Sequence, residues 1–402
     1  MRKEVVLTPP GETWIGQRQR LFPDLAPRVY AAHAAVSPLS RASADALARH
    51  IAAQAARGVE TVRDALAARE LVRAELGRLL GVAPTTLGLV QGTSAAVMAT
   101  AQALAWRPGD VVVTLDGEFP ANVTPWLRAV AHHGLGHKSL PADAFADPRG
   151  LADLERLLAP GDVRLVAVSA VQFQTGLRMP LAAMAELCHA RGALLFVDAI
   201  QAAGIVPLDL AALGVDLAAG GGHKWLLGLD GAGWLYVAPG RERELTQPMA
   251  SWLSCEDGAR FLFEGPGELR YDRPLHAAPR VFEGGSSSSL AIIALLEGLR
   301  LLHQVGVAAA FEHVQRWHDL VEPGLLARGF ASARATDRAH RSGILSVRPP
   351  AGVGLADLQR HLAAHGVTTS TPDGWLRLAP HFANSLDEAS IVLDAIDALP
   401  RP

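Results

Sequence analysis

Four short apolar runs do most to limit the folds open to this chain. "DVVVTL" (110–115), "VRLVAVSA" (163–170), "ALLFVDA" (193–199) and "AGWLYV" (232–237) are each about a strand long, and none alternates apolar with polar residues. A strand with one wet face alternates with period two, whereas a run without alternation reads as a strand covered on both faces. Helical stretches separate them, such as "PLAAMAELCHARGA" (180–193), opened by Pro and closed by Gly. Residues 40–80 read as helical, and "LGLVQGTSAAVMATAQAL" reads as a strand, a Gly–Thr–Ser turn and a helix. This succession predicts an α/β fold with a mostly parallel sheet.

The 402 residues exceed what one small core needs. After "RVFEGGSSSS" the pattern changes to a long helix, "LAIIALLEGLRLLHQVG" (290–306), followed by shorter mixed elements. We therefore expect a large α/β domain over 31–287 and a smaller α+β domain over 288–402, with residues 1–30 packing with the latter. The net charge of −3 and the lack of an arginine run or aromatic–basic stripe argue against a nucleic-acid groove. Cys188 and Cys255 are too few for a disulfide framework and form no metal-ligand cluster. The N-terminus has no apolar run of signal-peptide length, and nothing approaches the ~18 apolar residues of a membrane span. A cytoplasmic protein without membrane or nucleic-acid partners is the expectation.

In open parallel sheets, ligands bind beyond the carboxyl ends of the strands, and three segments place polar residues there. In "GTSAAVMA", Gly92, Thr93 and Ser94 open a helix, where N–H groups and hydroxyls suit a phosphate. In "FVDAIQAAG", Asp198 closes an apolar strand and Gln201 follows three residues later. In "VDLAAGGGHKW", glycines that allow close backbone approach precede His223 and Lys224. Lysine is otherwise found only at Lys3 and Lys138 in a chain that favours arginine. Position 224 thus calls for an amine able to lose its proton, which a guanidinium does not do. A phosphate cradle, a carboxylate and a lysine together meet the needs of pyridoxal 5'-phosphate (PLP). The amine forms a Schiff base, the acid keeps the pyridine nitrogen protonated, and N–H groups hold the phosphate.

The motifs in order are "YAAHAAVSPLS" (30–40), "GTSAAV", "GEFPANVTPW" (117–126), "SAVQFQTGLRMPL" (169–181), "VDAIQAAG", "GGGHKWLLG", "VFEGGS" and "WLRLAPHFANSLDE". Across nearly its whole length the chain resembles the class V aminotransferase family of fold-type I PLP-dependent enzymes. That family includes cysteine desulfurases, kynureninase and isopenicillin N epimerase-like proteins. The resemblance implies that Lys224 forms the internal aldimine, Asp198 pairs with the pyridine nitrogen and Gln201 lies near the phenolic oxygen. It implies that Thr93, Ser94 and His223 hold the phosphate and that Phe119 stacks on the ring. Ser286 matches a residue that reaches the neighbouring subunit's phosphate, which implies a homodimer with shared sites. Arg377 matches the arginine that grips the carboxylate of an amino acid or keto acid substrate, a task suited to its planar fork. Gln172 or Phe173 falls where relatives place a polar residue near the cofactor, and only Gln172 can donate a hydrogen bond.

Departures from the family pattern bear on the reaction. Desulfurases carry a persulfide-forming cysteine shortly before the carboxylate-binding arginine, whereas "GVTTSTPDGWLR" holds none. Phe119 stands where many desulfurases have a proton-moving histidine. Gly221 replaces a serine common near the phosphate, and Ala32 replaces an Asn or Asp. The leading expectation is aminotransferase-type chemistry. The alternatives are a β-eliminating lyase and an isopenicillin N epimerase-like racemase, the latter needing a proton donor opposite Lys224 such as His33 or His381. A non-catalytic PLP-fold protein is the reading from outside enzymology, and no DNA-binding module is appended to support it.

Overall fold

The computed structural model describes residues 14–246 and 249–399. Its strands are β1 (Val29–Tyr30), β2 (Leu87–Val90), β3 (Val111–Asp116), β4 (Gly136–Pro141), β5 (Val163–Ser169), β6 (Leu194–Asp198), β7 (Leu217–Gly221) and β8 (Gly233–Val237), followed by β9 (Ala331–Ser332), β10 (Leu345–Arg348), β11 (Val367–Thr368) and β12 (Leu376–Leu378). Its helices are α1 (Arg18–Leu21), α2 (Arg41–Arg57), α3 (Thr61–Leu80), α4 (Thr93–Ala103), α5 (Thr124–His133) and α6 (Arg149–Leu158), then α7 (Leu181–Ala190), α8 (Ser289–Val305), α9 (Val307–Ala327), α10 (Leu355–Ala364) and α11 (Glu388–Asp397).

Seven strands form the central sheet in the order β2-β8-β7-β6-β5-β3-β4. β8 runs antiparallel to both its neighbours, and the remaining pairs are parallel. The unbroken apolar runs predict this arrangement for a physical reason. Along β5, Leu165 and Ala167 enter one core and Val166 and Val168 the other, so helices must cover both faces. Each such side chain contributes about 1.5–3 kcal/mol on burial. β4 departs from the runs quoted above. Its sequence "GHKSLP" alternates half-buried and exposed residues, as an edge strand with one wet face does.

A second, three-stranded antiparallel sheet (β12-β10-β9) and the parallel pair β1–β11 pack with α9, α10 and α11 around Trp317, Leu345, Leu358 and Leu376. Val29 and Ala31 belong to this third core, while Leu21 and Phe22 pack into the large one, so the N-terminal segment touches both. Met1–Thr13 lie outside the described residues. α8 packs against α2 and α3 in the large core through Ile292, Leu295 and Leu299. α9 contributes to two cores. Phe311 and Val314 face the large core, whereas Trp317, Val321 and Leu325 face the small one. Among the described residues, no single helix is long and apolar enough to cross a membrane.

One glycine of the "GGG" run is demanded by the fold itself. A Cβ at Gly220 would lie 2.4 Å from the indole ring of Trp234, its β8 partner in register. Gly220→Ala is expected to cost about 1–3 kcal/mol in a denaturant melt by overpacking. Adding Trp234→Leu should return part of that loss, which a double-mutant cycle reads directly.

Candidate active site

The carboxyl ends of β3, β5, β6 and β7 converge on one region. Lys224 follows β7 in a tight turn, in which Gly228 N–H donates to the Gly222 carbonyl at 2.9 Å and Leu227 N–H to the Lys224 carbonyl at 3.1 Å. Trp225, Leu226 and Leu227 are fully buried and anchor this turn in the large core, leaving Lys224 half-buried at its edge. The Lys224 amine makes no hydrogen bond among the described residues. Its Nζ lies 5.6 Å from the centroid of the Phe119 ring. Burial pushes the amine down to about 8, with Arg377 adding to the shift and Asp198 opposing it. The neutral amine is therefore easier to reach near physiological pH than on an exposed lysine.

Asp198 ends β6, opposite Ala219 of β7 and Ser169 of β5. It is 2% exposed, and Oδ1 accepts from Ile200 N–H at 2.9 Å. Burial raises its carboxyl to about 6, partly offset by that hydrogen bond and by Lys224. An acid so placed gains from any cationic N–H donor delivered to it.

At the opening of α4, Thr93 is buried and its Oγ1 has no hydrogen-bond partner. A Cβ at Gly221 would lie 3.1 Å from that hydroxyl and 3.4 Å from Cε1 of His223, so glycine leaves the niche open where a serine would narrow it. His223 is half-buried, with Nδ1 3.3 Å from the exposed Asp230 carboxylate. Its imidazole is lowered by burial and by Lys224, against the pull of Asp230. Ser94 is exposed on the first turn of the same helix. An orphaned hydroxyl at a helix N-terminus, an open glycine niche, a free amine and a buried acid fit PLP: Thr93 and His223 for its phosphate, Asp198 for its ring nitrogen, Lys224 for its aldehyde.

Arg377 on β12 is 4% exposed, with Nε donating to Ser370 Oγ at 3.0 Å and Nη1 to the Phe173 carbonyl at 2.7 Å. Burial lowers it to about 10, and no carboxylate of the chain neutralises it among the described ion pairs. It remains charged at neutral pH, a ready partner for an incoming carboxylate.

Other expected residues are placed differently. Gln201 spends its amide inside the protein: Nε2 donates to the Ala34 carbonyl at 3.0 Å and Oε1 accepts from Trp225 Nε1 at 2.9 Å. These contacts brace the lysine turn and use one of the two N–H donors of Nε2, leaving the second for a ligand oxygen. Gln172 likewise gives its Nε2 to Glu118 at 3.1 Å, while the Phe173 ring packs edge-on to Phe119 with centroids 5.2 Å apart. His33 is 1% exposed, donates Nδ1 to the Ala379 carbonyl and packs among Tyr30, Trp225 and His381. Its other ring nitrogen, Nε2, is buried without a hydrogen-bond partner among the described residues. Ser286 is exposed on the segment between Glu283 and α8; its neighbour Ser287 accepts from Arg69, and Arg69 and Arg73 both grip the buried Glu283.

Sequence reasoning passed over Glu118. It is buried, and its carboxylate accepts from Ser169 N–H at 2.6 Å, from the Ser169 hydroxyl and from Gln172. Burial raises it to about 7, with Asp198 adding to the shift and the Ser169 bonds opposing it. The available signal was an acidic residue just beyond an apolar strand, beside the aromatic at 119.

Residues 29–376 match the family model described as aminotransferase class-V. The chain is 27% identical over 384 residues to the uncharacterized aminotransferase YcbU of Bacillus subtilis, covering 95% of this chain and 97% of that one. It is 29% identical over 341 residues to isopenicillin N epimerase of Streptomyces clavuligerus (81% and 83% covered). It is 32% identical over 291 residues to a probable cysteine desulfurase of Pseudomonas aeruginosa (71% and 67% covered). Among solved structures, C-DES with glycine covalently linked to its PLP cofactor superposes with a TM-score of 0.85 at 22% identity, covering 95% of this chain and 99% of that one.

Asp198 makes a testable pair of expectations. The Asp198 carboxyl is raised in the fold, so without cofactor its contribution to stability is lost as pH rises from its unfolded value through about 6. Asp198→Asn keeps the acceptor for Ile200 N–H. It should therefore stabilise the cofactor-free protein at pH 8 by on the order of 2–3 kcal/mol, and by less at pH 5. The same variant should bind PLP at least about tenfold more weakly in a fluorescence titration.

Proposed function

The chain belongs to the class-V aminotransferase family and is a PLP-dependent enzyme, and we propose that it transfers an amino group between an amino acid and a keto acid. One observation carries this reading. Lys224 presents an amine with no hydrogen bond among the described residues, lowered to about 8 by burial, with Asp198 and Arg377 acting on it and the Phe119 ring beside it. PLP, when bound, supplies an electron-poor ring that draws charge away from the amino acid's Cα. Arg377 holds the substrate carboxylate, and Asp198 keeps the ring nitrogen protonated. Lys224 Nζ would take the proton from the amino acid's Cα and deliver it to the carbon that was the cofactor's aldehyde, as amino-group transfer requires. Phe119 covers the neighbouring aromatic surface, excludes water and exchanges no proton.

Two of the competing chemistries, desulfuration and two-base epimerisation, need groups that are poorly placed here. Desulfuration needs an accessible thiol beside the substrate. Cys188 is buried in α7 with its thiol pushed up to about 12, and Cys255 lies on the 249–275 segment, away from the loop before Arg377. Epimerisation with two bases needs a second proton carrier. His381 has both ring nitrogens committed, Nε2 to the Trp225 carbonyl and Nδ1 to Phe382 N–H, and burial lowers it to about 4. His33 is enclosed and held well below its ordinary value by burial. We further propose a homodimer in which Ser286 reaches the partner's phosphate niche. The exposed Phe261, Leu262, Leu269 and Tyr271 on the 249–275 segment supply an apolar surface for the second copy.

Mixing the purified enzyme with a panel of amino acids should convert the bound cofactor to its amine form with an equimolar keto acid. Deuterium wash-in at Cα without keto acid would replace this reading with epimerisation, and ammonia release would replace it with elimination. Lys224→Ala should lower the half-reaction rate by about 10²–10⁴-fold. In the cofactor-free protein, the rate of PLP capture should rise with pH through about 8 and then level, because the neutral amine is the nucleophile.

A further inference from the structure

We propose that Glu118 is the positioning residue that holds the aromatic side of the site and the carboxylate-binding Arg377 in one fixed relation. The argument starts from connectivity. Glu118 leaves β3 immediately before Phe119, yet its carboxylate binds the exit of β5, taking Ser169 N–H at 2.6 Å, the Ser169 hydroxyl and Gln172 Nε2 at 3.1 Å. The next residue of that exit, Phe173, does two things. Its ring meets Phe119 edge-on at 5.2 Å, and its carbonyl accepts from Arg377 Nη1 at 2.7 Å. One buried carboxylate thus ties the strand exit bearing Phe119 to the exit whose backbone aims Arg377. β3 and β5 are adjacent in the sheet, and their paired residues end at Val113 and Val166, short of both Glu118 and Ser169, so the β3–β5 ladder does not reach the two exits.

The donor set says which replacements preserve the clamp. Ser169 N–H and Gln172 Nε2 are obligate donors to Oε1, whereas Oε2 meets a hydroxyl that can donate or accept. Glutamine therefore satisfies the three contacts from Ser169 and Gln172, with its Oε1 taking both N–H groups and its Nε2 donating to the hydroxyl. Alanine satisfies none and leaves buried donors unpaired.

The inference rests on Arg377 gripping the substrate carboxylate, so the experiment separates the two. The PLP-loaded enzyme is mixed with aminooxyacetate and, separately, with hydroxylamine. Both capture the cofactor, but only aminooxyacetate carries a carboxylate. The ratio of their rates reports the grip at Arg377 without knowledge of the natural substrate. Glu118→Ala should lower the ratio about tenfold or more and alter the visible circular dichroism of the bound cofactor, with the hydroxylamine rate little changed. Glu118→Gln should keep the ratio within about threefold. Should Glu118→Ala fail to fold, Ser169→Ala decides, with an expected loss of about threefold or more. An unchanged ratio in the alanine variants, or a Glu118→Gln enzyme as impaired as Glu118→Ala, overturns the positioning role while leaving Arg377's intact. An unchanged ratio in Arg377→Gln removes the carboxylate grip itself, and the proposal with it.

Discussion

An acid and an amine withdrawn from water at the ends of neighbouring strands set the terms for everything around them. Asp198 closes β6 and Lys224 follows β7, and each is pushed toward its uncharged form by burial while the other pulls it back. Neither receives the several hydrogen bonds that would settle a buried charge. The cost is tolerated because β6 and β7 lie inside a sheet covered on both faces, where each apolar side chain adds its own increment. A ligand that offers N–H to the acid and an aldehyde to the amine recovers what the folded chain gives up there. The affinity of the site is thus partly a property of the empty protein's discomfort.

Holding those two groups apart and in line is the work of side chains that touch no ligand. Trp225 fills the core beneath the lysine turn, and Gln201 and His381 hold it from two directions, the first at its indole nitrogen and the second at its carbonyl. Glu388 and Arg18 form a buried ion pair that ties the N-terminal segment to α11, and Asn384 bridges Glu388 to the Tyr30 carbonyl. Such networks satisfy each donor and acceptor, which is the condition for polar groups to be worth burying.

The contrast between what the chain's letters disclosed and what they hid has a physical basis. Strand interiors covered on both faces, the glycine-led entry to α4 and the lone lysine after β7 are local patterns, so a linear reading finds Thr93, Asp198 and Lys224 together. Choices among partners are not local. Gln201 has both ends of its amide free until Ala34 and Trp225 arrive from elsewhere in the chain, and only then is its bracing of the lysine turn visible. His33 looks available beside small residues, but its enclosure depends on Trp225 and His381, far away in sequence. Glu118 was hidden for the same reason, since Ser169 and Gln172 lie about fifty residues on. α8 illustrates the problem for boundaries: its apolar stripe shows that it must be buried, not which of two cores buries it.

α9 carries a consequence for what the enzyme admits. Its first half packs into the core that holds the lysine turn and its second half into the core that holds β12, within one unbroken helix. Arg377 also crosses directly to the Phe173 carbonyl. The two halves of the molecule are thereby splinted, and the gap between amine and guanidinium works as a gauge of set length. Whatever bridges the two groups meets a span set by the scaffold before any side-chain pocket has its say.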